Sequence, residues 1–223
     1  MALSSDLFDF LKNLKENNNR PWFKGNKVIY DALKDEVNVF SHQVFHKLNK
    51  SNQLSDVKVF RIYRDIRFSK DKTPYKTHFG IGFHRIKPRY RGGYYLHIEP
   101  GNSFVAVGFW KPNREDLYRV RKEIEMDHKY FRNIVSHGEL VNVWGKMKGE
   151  RLKIAPKGFD KLHKAVDLFQ YKQYLFVKKI SDQQVLSDSF IKEISTCFKV
   201  ALPFVNYMSD ILTTDLNGES LID

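Results

Sequence analysis

The sequence predicts an α+β fold in which an antiparallel sheet packs against helices from the N- and C-terminal parts of the chain. Three observations lead to this prediction: apolar residues recur at helical spacing near both ends, they alternate with polar residues in the middle, and a short turn joins two central strands. Strands that follow one another between helices are typical of this class. We expect the sheet to cover about residues 57–110 and to include a further strand near residues 173–180.

Apolar residues at helical spacing predict two helices before the central strands, one after them that begins at Asn113, and a last helix near the C-terminus. The first is expected to end before the turn-forming run at residues 17–21, and the second to extend from Ile29 to Leu48. The last begins at Ser187, whose hydroxyl can accept a hydrogen bond from the first helical turn, and it bends at Pro203.

From Val57 onward, apolar and polar residues alternate. This alternation predicts a strand that continues through an arginine-rich segment to Phe68. Apolar side chains then lie on one side of the strand, and Arg61 and Arg67 lie on the other. Arg64 falls on the apolar side. It therefore lies either at a bulge or buried against a partner. If it is buried, we expect it to be paired with a carboxylate, and its loss to cost ~3 to 5 kcal/mol.

The next strands are shorter. Phe79 to Phe83 alternates with glycines, which indicate the close approach of another chain segment or of a ligand. Residues 94–98 and 104–110 flank the turn at residues 99–102, so they are expected to pair as an antiparallel hairpin.

Composition excludes several classes of protein. Apolar residues make up 42% of the chain and charged residues 29%, which is typical of a folded globular domain and not of a disordered chain. No apolar run reaches the ~18 residues that a membrane span needs, and the first residues lack a signal-peptide pattern, so a cytoplasmic protein is expected. Cys197, the one cysteine, cannot form an internal disulfide. We expect a single domain over residues 1–212 and a disordered polar tail at residues 213–223.

Positive charge is concentrated in the middle of the chain. The formal net charge is +12, from 38 basic and 26 acidic residues. Residues 58–91 alone carry eleven basic and two acidic side chains, a net charge of +9. Such a surface attracts polyanions.

The predicted ligand-binding residues all come from the start of this basic stretch. Arginine can donate two parallel hydrogen bonds to a phosphate, and lysine supplies a mobile charge. In a regular strand Arg61 and Arg67 would lie ~20 Å apart, which favours an extended anion such as a nucleic acid, whose bases can stack on tyrosine rings. We predict a phosphate-bearing ligand, with nucleic acid as the leading candidate, bound by Arg61, Tyr63, Arg64, Arg67, Lys72, Tyr75 and Lys76.

Two alternatives use the same segment. In the first, the segment closes around one cavity, and the protein is a phosphodiesterase- or nuclease-like enzyme for a phosphorylated or anionic substrate. Asp65 and Asp71 are then the candidate catalytic residues, as general base or metal ligands. In the second, these carboxylates pair with the arginines in an ion-pair ladder that binds no ligand.

Histidines provide a weaker pattern. His78, His84 and His97 lie on neighbouring predicted strands, where they could converge with Glu99 on a metal ion. Histidines in a sheet more often make ordinary hydrogen bonds. We therefore predict neither a metal ion nor a cofactor.

The arginine-rich segment also resembles a known family. Its hallmark is Arg-x-x-Arg-Asp-x-Arg-Phe followed by an acidic residue, Lys and Tyr, matched here by Arg61, Arg64, Asp65, Arg67, Phe68, Asp71, Lys72 and Tyr75. On this basis the sequence resembles the uncharacterised bacterial domain-of-unknown-function family twenty-four sixty-one. Further similar segments at residues 8–11, 17–23, 92–95 and 152–158 extend the resemblance over nearly the whole chain. The resemblance implies a whole-chain domain and a special role for the Arg-Asp segment, but no reaction.

Overall fold

The computed structural model describes residues 2–222, and their central element is a five-stranded antiparallel sheet. Each strand pairs with the next one along the chain, so the order in the sheet is the order in the sequence. The predicted α+β class, the central sheet and the late fifth strand are confirmed. The strands are β1 (Leu54–Val59), β2 (Phe79–Arg85), β3 (Gly93–Ile98), β4 (Phe104–Phe109) and β5 (Tyr174–Lys179).

Alternating apolar residues give the sheet a buried face. Leu96 in β3 pairs with Ile81 of β2 on one side and with Val105 of β4 on the other. All three side chains are fully buried. Because cross-strand neighbours of this kind lie on one face, they form a continuous apolar surface for the helices to cover.

The helices supply the rest of the core. The long helix α3 packs along β1 and against α9, and Phe40 of α3 stacks on Phe190 of α9. A helix boundary occurs where a bend was predicted, because Pro203 lies in the first turn of α10, where its missing N–H costs nothing. The helices are α1 (Ser5–Glu16), α2 (Arg20–Gly25), α3 (Lys27–Asn52), α4 (Arg114–Met126), α5 (His128–Val135), α6 (Gly138–Trp144), α7 (Val166–Phe169), α8 (Asp182–Val185), α9 (Phe190–Val200) and α10 (Leu202–Thr213).

The strand predicted from Val57 to Phe68 is wrong beyond Val59, where β1 ends. Residues 60–78, called the basic loop below, connect β1 to β2 without regular structure. Phe68 was expected in the core but is 97% exposed.

The basic loop turns back on itself instead of extending the sheet. The backbone N–H of Arg64 donates to the carbonyl of Pro74 (2.9 Å), and that of Lys76 donates to the carbonyl of Ile62 (2.8 Å). These internal hydrogen bonds replace the ladder that a longer β1 would form with β2. The ~20 Å row of arginines expected from a straight strand is therefore absent.

The chain after α10 makes several hydrogen bonds. The Leu221 N–H donates to the Thr213 carbonyl (2.8 Å), and the Arg119 guanidinium donates to the carbonyls of Thr214 (3.1 Å) and Asp215 (2.8 Å). The domain boundary after residue 212 and the disorder of residues 213–223 stay predictions. Throughout residues 2–222, no helix combines the length and apolar character needed to cross a bilayer.

Candidate functional site

The basic loop closes around a cleft of about 600 Å³ beside the end of α1. Part of the Arg-Asp segment therefore lines one cavity and does not follow a flat sheet face. Of the predicted residues, Arg64, Asp65, Asp71, Tyr75 and Lys76 line the cleft. Arg61, Tyr63, Arg67 and Lys72 are not among its lining residues. The complete lining is Lys15, Asn18, Arg64, Asp65, Asp71, Thr73, Tyr75, Lys76, Thr77 and His78.

Asn18 attaches the basic loop to the N-terminal helices. Its side-chain amide donates to the Tyr75 carbonyl (3.0 Å) and accepts from the Tyr75 N–H (3.1 Å), as a strand partner would. The Tyr75 ring stacks on Phe23 of α2, with ring centroids 4.0 Å apart, and is buried. Tyr75 therefore shapes the cleft, and its ring is not available to stack on a nucleobase.

The first ion pair of the cleft joins Arg64 to Asp71. Arg64 also donates to the Thr73 hydroxyl (2.6 Å), while Asp71 accepts from the Thr73 N–H (2.9 Å) and hydroxyl (2.8 Å). Hydrogen bonds from Thr73, together with Arg64, lower the pKa of Asp71 to about 2. The pairing of Arg64 with a carboxylate agrees with expectation, but its burial does not, because its side chain is 28% exposed.

The second ion pair joins Arg67 to Asp65. Two guanidinium nitrogens of Arg67, Nε and Nη2, lie 3.0 and 2.7 Å from the two carboxylate oxygens. These hydrogen bonds lower the pKa of Asp65. Both candidate catalytic carboxylates are thus ionised and paired, which makes them weak general bases near neutral pH.

The two predicted lysines stabilise the loop backbone. The Lys72 ammonium donates to the Ile66 carbonyl (3.0 Å), and the Lys76 ammonium donates to the Arg61 carbonyl (2.9 Å). Burial, with a smaller effect from the charge of Arg61, lowers the pKa of Lys76. Positive charge is therefore held close to the cleft by short, local contacts.

A second group of side chains lies at the edge of the cleft. His78, which lines the cleft, is close to His97 and Glu99, and one possible ligand atom from each lies within 4.8 Å of the other two. Burial, with the neighbouring His97, lowers the pKa of His78 to about 4. Burial raises the pKa of Glu99, but hydrogen bonds from Asn102, Thr77 and His97 outweigh this effect and lower it overall. His84 does not join this group, because it lies near the far end of β2, opposite Gly93.

Sequence reasoning missed several residues of the site. Lys15 and Asn18 come from the end of α1 and the turn after it, and Thr73 and Thr77 come from the basic loop itself. The only signal for Asn18 was its place in one of the segments that resemble the family. No sequence signal identifies Lys15, because its place in the cleft depends on the docking of α1 beside a loop about 50 to 60 residues later in the chain.

Gly80 and Gly82 of β2 leave space into which aromatic rings pack. A Cβ on Gly80 would lie 2.6 Å from the Tyr95 hydroxyl, and one on Gly82 would lie 3.3 Å from the Phe60 ring. The close approach that these glycines predicted is therefore made by two rings of the protein itself.

Comparison with known proteins identifies a family. A family model described as "Conserved hypothetical protein (DUF2461)" matches residues 6–207, which confirms the resemblance found from the sequence. No curated protein and no solved structure matches the chain.

Proposed function

The chain belongs to the DUF2461 family of conserved hypothetical proteins, and we propose that it binds a compact phosphate-bearing ligand in the cleft of the basic loop. The observation that carries this proposal is the convergence of three cationic side chains, Lys15, Arg64 and Lys76, on one cavity. Hydroxyl groups of Thr73 and Thr77 line the same cavity and can donate to phosphate oxygens.

The size of the cleft favours a small ligand over an extended one. Its volume of about 600 Å³ falls within the range of small-molecule sites. Arg61 and Arg67 lie outside it, and Arg67 is already held by Asp65. A nucleic acid would need a row of available cations, whereas a compact phosphate needs only a few that meet at one place.

Arg64 retains donors for a ligand despite its ion pair. It contacts both Asp71 and Thr73 through Nη1 alone. A guanidinium has further N–H groups on Nε and Nη2. Asp71 thus orients Arg64 at the cleft and leaves part of its planar fork for a phosphate oxygen.

Calorimetric titration with inorganic phosphate, pyrophosphate and a nucleoside triphosphate at constant ionic strength tests this proposal. Lys15→Gln and Lys76→Gln should each weaken binding by about tenfold or more, the value of one charge-assisted hydrogen bond. Lys87→Gln is the matched control, because it removes the same charge beyond the far end of β2. Absence of binding to all three anions, or an equal loss in Lys87→Gln, would overturn the proposal.

Titration with a short single-stranded oligonucleotide distinguishes a compact ligand from the extended nucleic acid that the sequence predicted. We expect it to bind no more tightly than a free triphosphate, with a shallow dependence on salt. Each neutralised phosphate lowers the logarithm of the association constant by ~0.7 for a tenfold rise in salt concentration. A decline several times as steep would mean that several phosphates are neutralised. That result would indicate that the ligand is a nucleic acid and not a compact phosphate.

An enzyme remains the second candidate function, because Asp65 and Asp71 line the same cleft as His78. In that case Asp65→Asn or Asp71→Asn should abolish hydrolysis of a phosphomonoester or phosphodiester while pyrophosphate still binds. The low pKa values of both carboxylates favour binding over general-base catalysis. An inactive wild-type protein that still binds pyrophosphate would exclude hydrolysis of the esters tested.

A further inference from the structure

Two imidazoles and one carboxylate meet where β2 begins and β3 ends. Antiparallel pairing places Phe79 opposite Ile98 and Gly80 opposite His97. Continued by one residue, the same register places His78 opposite Glu99. His97 lies two residues before Glu99, on the same side of the strand. The backbone of two paired strands therefore brings the three side chains together.

Their spacing suits one small cation. Ligand atoms from the three side chains lie within 4.8 Å of one another, and His97 Nε2 is 3.2 Å from Glu99 Oε2. Tetrahedral zinc, with bonds of ~2.0 to 2.1 Å, holds its nitrogen and oxygen ligands ~3.3 Å apart. The His97–Glu99 separation already has this value, and His78 needs a shift of no more than about 1.5 Å to match it.

Neighbouring side chains orient two of the ligands. Glu99 accepts from the Thr77 hydroxyl (2.9 Å) and the Asn102 amide (2.7 Å). The His97 ring stacks on Phe104 at a centroid distance of 4.6 Å, and its Nδ1 is 3.2 Å from the Tyr95 hydroxyl. Metal ligands are characteristically supported by such outer contacts, which fix the ring and the nitrogen that faces the metal.

His78 lacks such a support. Within residues 2–222 neither of its ring nitrogens makes a hydrogen bond, although the side chain is half-buried and its ring lies 4.0 Å from that of His97. Neither nitrogen is committed to another group of the described residues, so His78 is free to share an ion with His97 and Glu99.

We propose that His78, His97 and Glu99 form a binding site for one divalent transition-metal ion of the zinc type. Imidazole ligands favour zinc, copper, nickel and iron over magnesium and calcium. Three protein ligands leave at least one coordination position for water or for an anion from the adjacent cleft. The metal site does not depend on the proposed anion binding, because its ligands differ from the cations of the cleft.

Titration of the chelator-treated full chain with Zn²⁺ alone tests the site, and Co²⁺ provides a visible absorption signal for its geometry. The exposed pair His42 and His46, four residues apart on α3, is first replaced by alanine, since such a pair can chelate metal. In this background we expect one Zn²⁺ per chain and no response to Mg²⁺.

Single substitutions then assign the ligands. His78→Ala and Glu99→Gln remove ligands and should each weaken Zn²⁺ binding by at least about a hundredfold, the upper value for loss of a group that only supports a ligand. Circular dichroism verifies intact folding. His84→Ala is the matched control on β2 and should leave binding unchanged. Absence of Zn²⁺ binding in the background protein, or an equal loss in His84→Ala, would overturn the site. These titrations contain no phosphate, and the anion titrations are made on chelator-treated protein without added metal, so failure of one proposal leaves the other intact.

Discussion

Arg85 provides a test of the packing between the sheet and its helices, because it is a fully buried cation without a salt-bridge partner among the described residues. It lies at the end of β2 and joins the sheet to two helices. Its guanidinium donates to the carbonyls of Asn52 at the end of α3 (3.2 Å) and of Val205 in α10 (3.1 Å). It also donates to the Ser209 hydroxyl (3.2 Å) and lies over the Tyr90 ring.

Replacement of Arg85 by methionine keeps most of the apolar stem and removes the donors. Two acceptors then lose a principal donor, the Asn52 carbonyl and the Asn206 side chain. A buried group left without its partner costs ~1 to 3 kcal/mol, so the loss of two should lower the unfolding free energy by about 2 to 6 kcal/mol. For a chain of this size that is a decrease in Tm of about 4 to 24 °C.

Urea denaturation, followed by circular dichroism, measures this loss. Arg89→Met is the control, because Arg89 is exposed and contacts the same Tyr90 ring. It should change the unfolding free energy by less than about 0.5 kcal/mol. If Arg85→Met lost no more than Arg89→Met, the buried guanidinium would not link β2 to the helices as described.

Three further predictions concern the cleft and its surroundings. Arg64→Ala should change the Tm by no more than ~2 °C, because its ion pair with Asp71 is partly solvated; a much larger decrease in a thermal melt would mean that the pair is buried. The lowered pKa of Asp71 means that its ionised form stabilises the loop above pH ~4, and that this stabilisation is lost as the pH falls through about 2; carboxyl chemical shifts that titrate near the ordinary value would contradict this. Gly80→Ala should destabilise the fold by ~1 to 3 kcal/mol, because its Cβ meets the Tyr95 hydroxyl, whereas Gly138→Ala, with open space around it, should be neutral in the same denaturation assay.

Local patterns predicted most of the regular structure. The spacing from Leu33 to Leu48 corresponds to the buried face of α3, whereas Ile29, predicted at the start of the same stripe, is 51% exposed. The short turn at residues 99–102 joins β3 to β4 as expected. These elements depend on neighbours within a few residues, so the sequence is sufficient to identify them.

The basic loop could not be predicted in the same way. Its alternating pattern continues past Val59, but its conformation depends on the contact between Asn18 and Tyr75, 57 residues apart, and on the pairing of Arg64 with Asp71. Alternation of apolar and polar residues cannot distinguish a strand from a loop that folds back on itself. Arginine burial was misassigned for the same reason, since Arg64 shares the apolar phase but is partly exposed, whereas Arg85 and Arg121 are buried.

The candidate site was predicted in part. The residue types and the segment were identified, and five of the nine named residues line the cleft. The cleft itself required the docking of α1, which places Lys15 beside Arg64 and Lys76. The meeting of His78 with His97 and Glu99 required the register of β2 and β3, which hydrophobic alternation alone leaves open.

A crystal structure of the protein with pyrophosphate would test the central claim most directly. We expect phosphate density inside the cleft, within hydrogen-bond distance of Arg64, Lys15 and Lys76. Density on the exposed side chains of Arg61 and Arg67, or an unchanged cleft at saturating pyrophosphate, would contradict the account.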